Sequence, residues 1–229
     1  MPAERLVRDA SPRTSRWSGD GWVLWRRDTA APLIFGEPGY GRSQAGAVLR
    51  YSLAPGSDHR PQAYLRASAA LSGPRERDLA AGLSVRPIAG LPLRLAAEAR
   101  ASETVGGTEL RPAAFAVTEL PPVKLPFGAE GELYMQAGYV GGRFATAFVD
   151  GQARVERSIA GSDGLSLRVG AGAWGGAQEG ASRLDVGPTA AVTFRLGDMR
   201  GRVAADYRFR VAGQAEPASG PALTVSAGF

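Results

Sequence analysis

Apolar and polar residues alternate along most of this chain, and this period of two limits the fold more than any other feature. Within residues 125–139, Leu133 and Met135 fall on one side of the alternation, while Glu130 and Glu132 fall on the other. Successive side chains of a β-strand point to opposite faces of the sheet, so residues two apart share a face. A helix would mix the two sets. The segment is therefore predicted to be a strand with one apolar and one polar face.

Eleven further segments show the same alternation, and turn-forming connectors such as residues 55–58 and 197–198 separate them. Each segment is about as long as the 9–11 residues with which a tilted strand crosses a bilayer, or slightly longer. Short connectors favour antiparallel neighbours, so an up-and-down meander is the simplest topology. The twelve predicted strands comprise residues 16–27, 42–54, 60–71, 76–87, 92–103, 109–120, 125–139, 144–157, 164–175, 183–196, 201–212 and 221–229.

The composition fits one all-β domain. The chain has 229 residues, of which 31 are glycine and 16 are proline, and this suits many tight turns. Hydrophobic residues make up 44% of the chain but are scattered, and no run approaches the roughly 18 apolar residues of a membrane-spanning helix. We predict a barrel over residues 16–229 after a flexible segment at residues 1–15. Because that segment is polar and lacks the apolar centre of a secretory signal, we expect a mature form or an excised domain.

The alternation alone does not say which face of the sheet points inwards. A ring of about twelve strands is wider than the eight-stranded size that side chains can fill, so a dry apolar interior would leave a void. A polar, hydrated interior would not. Aromatic residues also lie near predicted strand ends, as in the interfacial girdles of membrane barrels: Trp17, Trp25, Tyr139 and Phe229. We therefore predict a transmembrane β-barrel, with a soluble two-sheet sandwich as the alternative.

The polar face is rich in arginine, and the chain has a formal charge of +5. If this face lines the lumen, its fixed positive charge would favour anions. The same residues would suit a closed lumen filled by arginine–carboxylate bridges, and the sequence leaves both alternatives open. Nucleic-acid binding is not expected, because the arginines are spread around the ring rather than massed in one patch. The predicted lumen-lining residues are Arg50, Arg66, Arg94, Glu98, Arg100, Glu130, Glu132, Asp150, Arg154, Arg168, Arg195, Arg202, Asp206 and Arg208.

The final strand resembles the C-terminal signal of bacterial outer-membrane proteins. That family ends in a strand of alternating apolar positions with a terminal Phe, and Leu223, Val225, Ala227 and Phe229 match those positions here. The resemblance implies a location in the bacterial outer membrane, with lipid around the barrel. It also implies that the barrel-assembly machinery recognises this strand, which then pairs with the first strand.

A second resemblance covers residues 134–156, where a hairpin of aromatic residues and glycine is followed by a Gly-Gln strand. This pattern is similar to the C-terminal barrels of bacterial exopolysaccharide exporters and of phage adsorption receptors. Those proteins carry an N-terminal helical-repeat domain that these residues do not include. The resemblance implies a polysaccharide or envelope partner, and it carries over no catalytic residue.

Residues that carry catalysis are sparse. The chain has no cysteine and one histidine, His59, which lies two residues after Ser57 in a Pro-Gly-Ser-Asp sequence. Serine and aspartate are expected there as turn formers, so a solvated turn is favoured over a hydrolase dyad. Glu130 and Glu132 share a face and could serve acid–base chemistry, but salt bridges with the surrounding arginines are the favoured interpretation. We expect no catalytic residue, metal site, cofactor or enzyme activity.

Three functions are compatible with these features. The favoured one is a narrow passive pore or export channel with an Arg-rich lumen for anionic or sugar-like solutes. The alternative is a closed structural or receptor barrel that anchors envelope or polysaccharide machinery. An outer-membrane hydrolase that depends on His59 is the least favoured.

Overall fold

The computed structural model describes residues 15–26, 42–72, 76–104, 107–143 and 145–229, so most of the predicted flexible segment lies outside the described residues. The described residues form strands and one short 3-10 turn, η1 (Pro126–Gly128). Among them, no helix has both the length and the hydropathy needed to cross a membrane. The strands are β1 (Trp17–Arg26), β2 (Gln44–Ser52), β3 (Gln62–Ala70), β4 (Arg77–Val85), β5 (Leu93–Thr104), β6 (Gly107–Thr118), β7 (Val123–Lys124), β8 (Ala129–Val140), β9 (Thr146–Ser162), β10 (Leu165–Gln178), β11 (Ala181–Leu196), β12 (Met199–Gly213) and β13 (Gly220–Gly228).

Twelve of these strands form a closed antiparallel ring, which confirms the predicted all-β, up-and-down barrel. Neighbours in sequence pair with each other, β6 pairs with β8, and β1 pairs with β13. The two-residue strand β7 pairs only with β8 and stands outside the ring. At the closing seam, Gly19 and Phe229 exchange backbone hydrogen bonds of 3.0 and 3.3 Å. Phe229 therefore belongs to the ladder that closes the barrel.

One error in the predicted strands lies just before β8. Residues 125–128 were predicted to be strand, but the structure has η1 there, and Phe127 has a φ of 61°. Pro126 lacks a backbone N–H and cannot serve as a ladder donor, which favours a turn. Leu125 and Phe127 are apolar and two residues apart, so they extend the alternation although they do not lie in a strand. The strand prediction is therefore wrong for these four residues.

Two prolines lie inside strands, one in β6 and one in β11, where neither can donate a hydrogen bond to the ladder. Pro112 lies in β6 just before Ala113, where the ladder between β6 and β8 ends. Pro188 lies in β11, and neither Gly187 nor Pro188 has a partner in the register with β12. The ladder therefore loses its regular pairing beside a residue that cannot donate a backbone hydrogen bond.

The barrel is apolar outside and polar inside. Large hydrophobic side chains such as Leu65, Leu83 and Val211 are 55–60% exposed on the outer surface. Charged and polar residues are buried within the ring, beside a small apolar cluster around Val48 and Tyr64. A closed sheet that shows hydrocarbon side chains outwards and satisfies its backbone internally suits a bilayer and not water. The soluble sandwich is therefore the wrong alternative.

The predicted aromatic residues lie at the two rims of the barrel. Trp17 and Phe229 lie at the terminal mouth, the end that holds the start of β1 and the end of β13. Trp25 and Tyr139 lie at the distal mouth, the opposite end. All four side chains are about half exposed. This is the placement of aromatic girdles at the two interfaces of a bilayer.

Candidate functional site

Charged side chains line the lumen because the polar set of every long strand faces inwards. Of the predicted lumen residues, Arg94, Glu98, Asp150, Arg154, Arg202, Asp206 and Arg208 are buried. Arg50, Arg66, Arg100, Glu130, Glu132 and Arg168 are partly buried. Arg195 is exposed and lies two residues before the turn at 197–198.

Glu98 forms the central ion-pair group of the lumen. Its side chain is fully buried and receives Arg66 Nη2 at 2.5 Å and Arg100 Nη2 at 2.8 Å. Tyr64 Oη donates to the other carboxylate oxygen at 2.8 Å. β3 and β5 supply these side chains on either side of β4. One carboxylate thus fixes two guanidinium groups inside the ring and leaves a net positive charge.

A second group follows the wall formed by β8 to β12. Glu156 accepts from Arg202 Nη1 at 3.0 Å and from Arg168 Nε at 3.3 Å. Arg168 also donates from Nη2 to Glu130 at 2.6 Å. Glu132 accepts from Arg154 at 2.9 Å. The paired carboxylates Glu130 and Glu132 each bind a separate arginine, as in a salt-bridge ladder.

At the distal mouth, Asp185 is held between Arg26 at 3.0 Å and Arg183 at 2.8 Å. Arg183 also donates to the carbonyl of Ala215 at 2.7 Å, and Arg26 donates to the carbonyl of Ala218 at 3.3 Å. Both carbonyls belong to the connector between β12 and β13. This connector is therefore fastened to the lumen wall at the distal mouth.

Arg26 and Arg183 were absent from the predicted lumen set. The alternation could have identified both as inward-facing residues, because Arg183 shares a face with Asp185 and Arg26 shares a face with Trp22. On β1, however, the inner face also carries the apolar residues Trp22 and Leu24, so the sequence did not mark this face as polar. Both apolar side chains are buried in the lumen.

A cavity of about 340 Å³ opens at the terminal mouth and is lined by four arginines and two glutamates. Glu119 lies between Arg86 and Arg94, with its Oε1 atom 3.0 Å from Arg94 Nε and its other oxygen bonded to Arg86. Arg154 lines the same cavity beside Glu132, and Arg60 stands at its edge.

The turn between β2 and β3 positions part of this cavity. His59 Nδ1 lies 2.9 Å from the carbonyl oxygen of Arg86, and the backbone N–H of Arg86 donates to the His59 carbonyl at 2.8 Å. Ser57 Oγ accepts from the backbone N–H of His59 at 3.3 Å. The hydroxyl of Ser57 therefore serves the turn, while the imidazole is held by the backbone of Arg86.

No group of three or more histidine, aspartate or glutamate side chains in the described ranges is arranged to hold a metal ion.

The closed strand ring, the charged interior and the apolar exterior with aromatic rims define a transmembrane β-barrel of the bacterial outer-membrane type. No protein-family model and no curated protein matches the sequence. Solved outer-membrane barrels match over most of their length. LpxR from Salmonella typhimurium is 13% identical, with 93% of this chain and 99% of that chain covered and a TM-score of 0.43.

Two further structures show the same extent of overlap. The NanC porin is 8% identical over 92% of this chain and 98% of its own, with a TM-score of 0.42. A bacterial polysaccharide outer membrane secretin is 8% identical over 93% of this chain and 96% of its own, with a TM-score of 0.45. These likenesses concern the barrel as a whole and do not bear on its solute or its chemistry.

Proposed function

We propose that this barrel is a narrow passive channel that favours anionic or sugar-like solutes. The observation that carries the proposal is a repeated two-to-one pairing of arginines with a carboxylate. It occurs at Glu119 near the terminal mouth, at Glu98 in the middle and at Asp185 near the distal mouth. Each group leaves one positive charge in the lumen. Fixed positive charge at successive depths lowers the free energy of an anion on its path.

The channel works without catalysis or a cofactor under this proposal. The carboxylates of the ladder are bonded to arginines, so their oxygens are already engaged and are not aimed at a substrate. The imidazole of His59 is held by a backbone carbonyl rather than by a nucleophile. These contacts support transport and not hydrolysis.

Planar-bilayer recording in a salt gradient tests the proposal. We expect discrete conductance steps and a reversal potential displaced towards the equilibrium potential of chloride. Arg100→Gln removes one positive charge from the Glu98 group and leaves the pair of Arg66 with Glu98 intact, so it should reduce the anion preference. Arg143→Gln, an exposed position in the connector before β9, serves as the control. A channel without conductance or with cation preference would contradict the proposal.

A second candidate is a closed barrel that anchors envelope or polysaccharide machinery. The observation that supports it lies at the distal mouth. There Arg26, in a fully buried pair with Asp185, fastens the connector between β12 and β13. A closed barrel would show no conductance, and crosslinking in cells would recover one dedicated envelope partner. Conductance without such a partner would exclude it.

We also propose that the barrel-assembly machinery recognises β13. Leu223, Val225 and Phe229 point outwards along this strand, and Phe229 bonds to β1 at the seam. Phe229→Ala should lower the folded amount in the outer membrane several-fold while purified chain still folds in detergent. Equal loss in cells and in detergent would indicate a folding defect rather than a recognition defect.

A further inference from the structure

We propose that the terminal mouth holds a specific binding site for a carboxylated sugar unit, such as a hexuronate. This inference deepens the proposed function, on which its physiological role rests. The site is the cavity of about 340 Å³ at the terminal mouth. Its volume lies within the roughly 300–1,000 Å³ of small-molecule pockets, so it exceeds the size of a simple inorganic anion.

The charge of the cavity favours one carboxylate. Four arginines and two glutamates line it, which leaves an excess of two positive charges. Glu119, just after β6, holds Arg86 and Arg94 in place, and Glu132 on β8 holds Arg154 at 2.9 Å. Guanidinium groups that are already fixed by partners lose little conformational freedom when they bind an anion.

Arg60 provides an independent indication, because its backbone is strained. Its φ is 45°, in the left-handed region that glycine adopts without steric cost. A glycine would satisfy the turn, because Arg60 makes these contacts through its own backbone: its N–H donates to the Ser57 carbonyl, and its carbonyl accepts from the Arg94 guanidinium. An arginine at a strained position beside a cationic cavity is a feature that the turn does not require.

The remaining lining suits a sugar ring. Tyr134 donates from its hydroxyl to Gln136 at 3.0 Å, which fixes the aromatic ring at the cavity. Pro92 and Pro121 add rigid apolar surface, and the Gln152 side chain adds an amide that can bond to hydroxyl groups. Apolar surface beside a few convergent polar groups is the usual construction of a small-molecule site.

Calorimetric titration of the folded barrel in detergent micelles tests the site, with sodium glucuronate, glucose and sodium phosphate as probes. We expect glucuronate to bind with one-to-one stoichiometry, and glucose and phosphate to bind at least about tenfold more weakly. Phosphate binding as tight as glucuronate binding would overturn the assignment to a sugar, and so would equal binding of glucose and glucuronate.

Two variants locate the site. Arg60→Gly removes a guanidinium, keeps both backbone contacts and relieves the positive φ, so the barrel should fold at least as well. Arg86→Gln removes a second cation. Each variant should weaken glucuronate binding about tenfold, because a hydrogen bond to a charged group is lost. Arg143→Gln makes the same change of charge at the distal mouth and should leave binding unchanged.

Faster migration of the unboiled protein on a denaturing gel shows that each variant is folded. Unchanged binding in folded Arg60→Gly and Arg86→Gln would overturn the proposal. The binding experiment and the bilayer recording can succeed or fail independently of each other. A barrel that binds glucuronate without conductance retains this site and loses the channel, whereas an anion-selective channel that binds no glucuronate retains the channel and loses this site.

Discussion

At the scale of single residues, the lumen is organised by carboxylates that each hold more than one cation. Glu98 is the clearest example, because its side chain is fully buried while Arg66 and Arg100 are each 17% exposed. A buried ion pair is weak evidence for stability by itself, but the removal of one partner leaves the other charge uncompensated. The carboxylate is thus the residue on which both arginines depend.

Glu98→Gln should therefore lower the free energy of unfolding by about 3 kcal/mol, since two partly buried guanidinium groups lose their counterion. Urea titration of the barrel in lipid vesicles measures this change. Glu103→Gln is the matched control, because Glu103 and Arg77 are 3.9 Å apart and both largely exposed. The control should change stability by less than about 1 kcal/mol. Equal losses in the two variants would contradict the special role of Glu98.

At the scale of strands, β11 and β12 approach each other too closely at Gly187 to leave room for a side chain. A Cβ atom on Gly187 would lie 1.8 Å from the carbonyl oxygen of Tyr207, which is backbone and cannot move aside easily. This glycine lies next to Pro188, where the register with β12 is interrupted. The irregularity is therefore built from a residue without a donor and a residue without a side chain.

Gly187→Ala should lower the free energy of unfolding by about 1–3 kcal/mol, as overpacking does elsewhere. Urea unfolding followed by tryptophan fluorescence measures the loss. Gly220→Ala is the control, because a Cβ there meets no atom within 4 Å. A Gly187→Ala barrel as stable as the Gly220→Ala barrel would show that the strands can separate without cost.

The strands were largely predictable, because the period of two is a local property that burial on one face imposes. The turn around Phe127 was not, because an apolar residue in a turn satisfies the same alternation. The ion pairs could not be predicted from the sequence for a different reason. Glu156 and Arg202 are 46 residues apart in sequence. Their contact depends on the register of every strand between them, which the sequence does not display.

At the scale of the whole molecule, closure of the sheet determines both the stability of the barrel and its ability to lie in a membrane. Every long strand is paired on both sides for at least part of its length, so the ring closes and leaves little open edge to associate with other chains. The folded barrel should therefore resist detergent at room temperature and migrate faster on a denaturing gel before boiling than after. A chain that migrates identically in both states would contradict a closed ring.

The polar interior and apolar exterior of the barrel underlie every function proposed for it, and site-directed spin labelling along β12 tests this arrangement directly. The chain has no native cysteine, so single cysteines can be placed at each position from 202 to 209 without background labelling. In lipid vesicles, collision with oxygen should be high at 203, 205, 207 and 209, which face outwards, and low at 202, 204, 206 and 208. A profile without this alternation, or with the opposite phase, would contradict a charged lumen inside an apolar barrel.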